Sequence, residues 1–208
     1  MHDNSLTALG AYQKARRQVI GALLLLLLAM LVFGQSLSPP ETAIHEIVEM
    51  TGIVLIVLGI VGRLWCTLYI GGRKSSEIVD TGPYSITRNP LYLFSTVAAA
   101  GVGAQMGSIV ATFGFALLCA LTFHVVIRRE EQYLSATFGA AFDAYLARVP
   151  RFFPKPSLYR EGERTPFEPA RLKRTLFDGL LFFVSIPFFE AIDAAQQSGM
   201  LPVLYRLP

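Results

Sequence analysis

GPYSITRNPLYL, residues 82–93, joins two long apolar runs at residues 51–70 and 91–106. A plain polar connection would not need two tyrosines, an arginine, an asparagine and two prolines. Gly82-Pro83 is a turn signal. Asn89-Pro90 is a helix start, with Asn89 in the capping position and Pro90 at the first helical position, where its missing N–H costs nothing. Turn and cap chemistry leave Tyr84, Arg88 and Tyr92 around that start unexplained. A helix N-terminus offers unpaired backbone N–H groups and a partial positive charge, which suit an anionic ligand group.

The surroundings of this loop decide the class. Hydrophobic residues make up 53% of the 208 and charged residues 16%, against roughly a quarter charged in soluble domains. That balance points to an integral membrane protein. Residues 19–37, VIGALLLLLLAMLVFGQSL, carry no charge, and a helix of that length spans about 28 Å, close to a hydrocarbon core. Lys14, Arg16 and Arg17 precede the run, and no small-residue cleavage pattern follows before Pro39-Pro40, so it reads as a retained anchor rather than a signal peptide. Residues 51–70 contain Arg63, and Gly52, Gly59 and Gly62 there permit close helix packing. Residues 91–106 and 108–127 form a hairpin at Gly107. Residues 176–192, with Pro187, Asp178 and Glu190, are expected to span as well. Cys66 and Cys119 lie inside apolar runs and read as small packed side chains.

Charge asymmetry orients these runs. Lys14, Arg16 and Arg17 precede the first run, whereas the following loop has Glu41, Glu46 and Glu49 with no Lys or Arg. Arg73, Lys74 and Arg88 occupy the next connection, and residues 128–174 hold ten Lys or Arg. With about five spans every basic segment falls on one side, as the positive-inside rule requires. The expectation is an all-α integral membrane fold forming one domain, with an anchor and loop at 1–50, a core at 51–154, and a linker and helix at 155–208. The N-terminus, the 82–93 loop and the 128–174 segment are expected in the cytoplasm, and the short loops suggest a bacterial inner membrane.

The second polar segment, residues 124–154, leaves the membrane at Ile127 and meets Arg128, Arg129, Glu130 and Glu131. Leu134, Phe138, Phe142, Tyr145 and Val149 then recur at helical spacing, so the helix is expected to continue as an amphipathic arm along the cytoplasmic surface, kinked at Gly139. Charge pattern alone makes the Arg-Arg-Glu-Glu cluster a solvated interfacial group. Its position raises a second reading, because both polar segments emerge on one side at membrane level.

Together the two segments resemble the isoprenylcysteine carboxyl methyltransferase family and related phospholipid methyltransferases. Gly82, Pro83, Tyr84, Arg88, Pro90 and Tyr92 match the first half of the family pattern. Glu130, Glu131, Leu134, Phe138, Gly139, Tyr145, Val149, Pro150, Arg151 and Pro154 match the second. The resemblance covers about residues 50–154. It implies S-adenosylmethionine as cofactor and a lipophilic methyl acceptor drawn from the membrane, with a cytoplasmic pocket formed by the loop before helix 3 and the segment after helix 4. Carried over by position, Tyr84, Arg88, Asn89, Pro90, Tyr92, Leu93 and Glu130 would bind the cofactor, and Glu130, Glu131, Arg128 and Arg129 would act at the reacting groups. Many members have His where this chain has Asn89. The eukaryotic carboxyl methyltransferases place an arginine where this chain has Val126, which leaves carboxylate, thiol and amine acceptors all open.

Two rival functions remain at this level: an NADPH-dependent membrane reductase, because sterol and acyl reductases share an R-x-P-x-Y element, and a non-catalytic membrane scaffold. No HExxH, CxxC pair or His/Cys cluster supports a metal site, and no GxGxxG follows a strand. The basic residues between 148 and 174 are interspersed with Glu161, Glu163 and Glu168, which suits contact with anionic membrane lipids rather than nucleic acid. Arg63 divides evenly between a functional intramembrane charge and a side chain extending to the boundary. His124 reads as a packing or hydrogen-bonding residue.

Overall fold

The computed structural model describes residues 31–39, 42–72, 77–162 and 167–208. Most of the first apolar run, its basic flank, Arg73 and Lys74, and Glu163 lie outside the described residues. The chain divides into two compact units, one of Ser36–Glu190 with Pro208 and one of Met1–Gln35 with Ala191–Leu207.

The larger unit begins with α1, Ala43–Ile70. The apolar pattern alone places its start at residue 51, but Thr42 accepts a hydrogen bond from the His45 amide and starts the helix earlier. A short helix α2, Pro83–Ile86, and then α3, Pro90–Ala104, follow. Packing of α1 on α3 depends on small residues: a Cβ at Gly59 would lie 2.6 Å from the Ala98 Cβ, and one at Gly62 would lie 2.1 Å from the Phe94 ring. The hairpin at Gly107 leads to α4, Ile109–Phe138, whose N-cap Ser108 accepts from the Ala111 amide. Its large apolar side chains Phe113, Leu117 and Leu121 are exposed, as a lipid-facing helix requires.

Gly139, at φ +53°, ends α4 and opens α5, Ala140–Arg148. The expected kink is therefore a full break between two helices. The apolar stripe also has a different partner from the expected membrane surface. Phe142, Tyr145 and Val149 are buried, and Leu134, Phe138 and Ile78 pack against them.

From Pro169 to Gln197 the chain is helical, as α6 (Pro169–Leu180), a 3-10 segment (Leu181–Val184) and α7 (Ser185–Gln197). The tighter turn sits just before Pro187, whose ring removes one helical N–H and crowds the carbonyl four residues earlier. Arg63 turns inward rather than along its own helix. Its Nη1 donates to Ser95 Oγ at 2.7 Å, and its guanidinium lies 5.6 Å from the Phe182 ring centroid.

In the smaller unit a helix ends at Phe33 and Gly34–Ser36 forms a strand paired with Tyr205–Leu207. The first run thus stops being helical before Leu37, and this two-stranded pair is the exception to the all-helical expectation. Gln196 Nε2 donates to the Val32 and Gly34 carbonyls, holding α7 beside that turn.

Among the described residues, Ala43–Ile70, Ile109–Phe138 and Pro169–Gln197 are long and apolar enough to cross a membrane, and Pro90–Ala104 is apolar but shorter. The protein is a mostly helical integral membrane protein.

Candidate functional site

The two polar segments meet because the chain after α5 runs back along the 82–93 loop. Arg88 N donates to the Pro150 carbonyl at 2.9 Å, Lys155 N to Ile86 at 2.9 Å, and Gly82 N to Arg160 at 2.7 Å. Side chains add to this backbone seam. Thr87 Oγ1 donates to the Arg151 and Phe152 carbonyls, and Asn89 Nδ2 donates to Arg151 O at 3.0 Å. Gly82 is required at its place, since its φ is +55° and a Cβ would lie 2.3 Å from the Tyr69 ring. Asp80 closes the far end by binding Arg148 at 2.5 Å and also Arg160. Arg171 pairs with Glu168, so the basic 148–174 segment uses several of its charges inside the protein.

Between the loop, the C-terminal part of α4 and α5 lies a cleft of about 700 Å³, partly open to solvent. Tyr84, Tyr133, Phe142 and Tyr145 supply aromatic walls, and Arg88, Glu77, Glu130 and Glu131 supply the charge.

Glu131 is held by two arginines. Arg151 reaches both its oxygens, Nη2 to Oε2 at 2.6 Å and Nε to Oε1 at 3.3 Å, in a two-pronged pair. Arg88 Nε lies 3.3 Å from Oε1, close enough for an ion pair though not at hydrogen-bond angles, while its Nη1 donates to the Leu146 carbonyl. Glu130 lies beside Tyr92, whose hydroxyl donates to it. Tyr92 also packs on Phe123, at 4.6 Å between ring centroids.

Tyr84 is 5% exposed, and its hydroxyl is buried with no hydrogen-bond partner among the described residues. A hydroxyl so placed costs about 1–3 kcal/mol unless something bonds to it. Tyr145, by contrast, donates to the Tyr84 carbonyl at 2.8 Å. Burial pushes both phenols well above their ordinary range, so both are neutral.

The structure therefore brings together Tyr84, Arg88, Asn89, Glu130 and Glu131 in the cleft lining. Pro90, Tyr92 and Leu93 stand on the first turn of α3 and do not line it, although Tyr92 touches it through Glu130. Arg128 and Arg129 are exposed and take no part in the lining. Asn89 holds the position of a cap, but its side chain is spent on Arg151 O and makes no capping bond. Arg151, Tyr133, Phe142 and Tyr145 were absent from the expected site. Of these, Arg151 and Tyr145 stood in the sequence pattern, and only the folded chain after α5 shows which group Arg151 binds.

A phospholipid methyltransferase family model matches residues 47–141. The chain is 39% identical to the nickel-cobalt-cadmium resistance protein NccN of Alcaligenes xylosoxydans xylosoxydans, over 81% of this chain and 78% of that protein. It is 36% identical to the cobalt-zinc-cadmium resistance protein CzcN of Cupriavidus metallidurans, over 86% of this chain and 82% of that protein. A shorter similarity, 32% over 39% of this chain and 35% of the relative, links it to the protein-S-isoprenylcysteine O-methyltransferase of Schizosaccharomyces pombe. No solved structure matches it. The matched span contains the 82–93 loop and all three glutamates named in the cleft lining, and the chain belongs to the phospholipid methyltransferase family of integral membrane proteins.

Proposed function

We propose that the protein transfers a methyl group from S-adenosylmethionine to a lipophilic acceptor at the membrane surface. The observation that carries this reading is the charge balance of the cleft. Among the described residues Glu77, Glu130 and Glu131 line it with Arg88, and Arg151 joins Arg88 on Glu131, so the cluster holds one more negative charge than positive. Such a lining favours a cation, and aromatic faces add to the attraction. The family membership supports the same chemistry.

The residues present fit the group. Tyr84 offers a buried hydroxyl in need of a partner, the aromatic walls suit a flat base, and Glu130 and Glu77 are suited to hydroxyl or amino groups. When bound, the cofactor supplies an electrophilic methyl on a sulfonium centre. The protein's part is to orient donor and acceptor, exclude water and hold charge, and alignment alone can contribute about 7–11 kcal/mol of a barrier. A phosphate-rich nicotinamide cofactor would meet, among the described residues of the lining, three carboxylates and one arginine that is already bound to Glu131, which counts against the reductase reading.

Titrating the detergent-purified chain with S-adenosylmethionine, its neutral thioether product and NADPH tests the proposal. Saturable binding with the sulfonium preferred supports it; NADPH binding alone, or no binding by a folded chain, refutes it. The names of the two bacterial relatives extend the reading to growth on nickel, cobalt, zinc or cadmium. A strain lacking the chain, complemented with the wild type or Glu130→Gln, checks that extension, and equal growth on every metal would dismiss it.

A further inference from the structure

His45 stands on the first turn of α1, at the opposite end of that helix from Ile70 and the cleft. It is 3% exposed, and its ring lies against the hairpin at Gly107, where φ is +61° and a Cβ would come 2.1 Å from the imidazole. Nδ1 lies 3.0 Å from the Ser38 carbonyl and Nε2 lies 3.2 Å from Glu49 Oε1. A carbonyl can only accept, so Nδ1 carries a proton, and in the neutral ring Nε2 turns a lone pair to the carboxylate. Two acceptors that close require a cation between them, either a second proton or a metal ion.

The spacing suits a metal ion. Ligand atoms about 2.1 Å from a divalent ion, at tetrahedral or octahedral angles, stand about 3.0–3.4 Å apart. The bond from Nδ1 to the Ser38 carbonyl is the outer contact that fixes the tautomer of a metal-ligating imidazole. Glu49 is held as well, because Gln105 Nε2 donates to its backbone carbonyl at 3.1 Å. The surroundings favour a metal over a proton. A pocket of about 680 Å³ adjoins Glu49, with Glu46, Gln105 and Glu190 in its lining and no Lys or Arg among the described residues there. A proton alone would satisfy the His45–Glu49 pair without this excess of acid. Gln105 is 3% exposed, and its Nε2 also donates to the Gly101 carbonyl. Its amide oxygen has no partner among the described residues and borders the pocket, where water bound to a metal would supply one.

We infer that His45 Nε2 and Glu49 bind a divalent metal ion of the zinc, cobalt and nickel group, with water completing its coordination and Glu46, Glu190 and Gln105 around it. An imidazole nitrogen in the set selects such ions over magnesium and calcium, which take oxygen ligands. The pattern His-x-x-x-Glu is common on helices and signals nothing alone. What makes it a site is the buried ring, its bond to Ser38 and the acidic pocket beside it. The site is separate from the cleft, and its occupancy does not rest on the methyl-transfer reading.

The test is calorimetric titration of the purified full chain in detergent, stripped with a chelator, with Zn²⁺ and separately with Mg²⁺. One Zn²⁺ per chain is expected, with Mg²⁺ roughly 100-fold weaker. Glu49→Gln can donate its amide to Nε2, which keeps the pair without a cation, and should lower Zn²⁺ affinity about 100-fold. If that variant fails to fold, the ring nitrogens of the wild type serve instead: in a chain labelled with ¹⁵N-histidine, Zn²⁺ should move the Nε2 signal of His45 far more than its Nδ1 signal. Equal affinity for the two metals marks an acidic surface only and overturns the inference. Unaltered Zn²⁺ binding by Glu49→Gln, or an unmoved Nε2 signal, overturns it too. A folded chain that binds no Zn²⁺ leaves a proton between His45 and Glu49 and refutes the site.

Discussion

Asn89 donates its side-chain amide to the carbonyl of Arg151 at 3.0 Å, across 62 residues of chain, and that side chain makes no capping bond to the helix it precedes. The residue that reads locally as a helix cap is a clasp between the two halves of the site. Replacement by Asp sets a carboxylate against that carbonyl, so Asn89→Asp should be worse than Asn89→Ala. A loss of about 1–3 kcal/mol is expected for the alanine variant. Thermal unfolding in detergent measures both, and a milder effect from Asp would contradict the clasp.

Tyr84 should separate binding from stability. Its hydroxyl has no partner among the described residues, so Tyr84→Phe removes a buried polar atom at no structural cost and should leave the unfolding temperature unchanged or slightly higher. Donor binding should weaken by about tenfold in the same variant if the hydroxyl meets the ligand. Calorimetric titration beside a melting curve reads both effects, and the opposite pattern would assign Tyr84 to packing alone.

Glu131→Gln leaves Arg88 and Arg151 facing an amide. Arg88 and Glu131 are each 12% exposed as side chains, while Arg151 is 42% exposed. Removing one partner of a fully buried pair costs about 3–5 kcal/mol, and half-solvated Arg151 lowers that to about 2 kcal/mol here. Denaturant unfolding checks the figure. Glu130→Gln should cost less stability and more donor affinity.

Gly82 and Gly139 share a backbone conformation, φ +55° and +53°, but not an environment. A Cβ at Gly82 meets the Tyr69 ring, whereas one at Gly139 meets nothing within 4 Å among the described residues. Gly139→Ala should cost only backbone strain, about 1–3 kcal/mol. Gly82→Ala adds the clash and should fall below it in a melting comparison, with loss of donor binding.

Alkaline pH should destabilise the fold through Tyr84 and Tyr145. Burial raises both phenols, so the folded state keeps its protons where the unfolded chain, titrating near pH 10, releases them. Their contribution is complete below about pH 10 and declines above it. Melting temperature against pH should fall more gently in Tyr84→Phe than in the wild type.

Local features of the chain were legible before folding. The hairpin at Gly107 and the helix start at Pro90 depend on residues adjacent in sequence, and the structure has both, whereas the kink expected at Gly139 is a break between two helices. The start of α1 was less legible, because Thr42 caps it before the apolar run begins. In the site, Arg88 and Glu131 could be named from the pattern, but their mutual pairing and Arg151's grip on the same carboxylate could not.

The amino-acid order by itself determined the membrane class, the chemistry-bearing loop and the helical arm, because hydropathy, caps and turns act over a few residues. Only the tertiary structure decided that Asn89 clasps Arg151, that Arg63 faces Ser95 and Phe182, and that the Tyr84 hydroxyl is buried without a partner among the described residues. Those outcomes depend on which atoms meet across tens of residues of chain, and a side chain's residue type fixes what it can bond to without fixing what it will find.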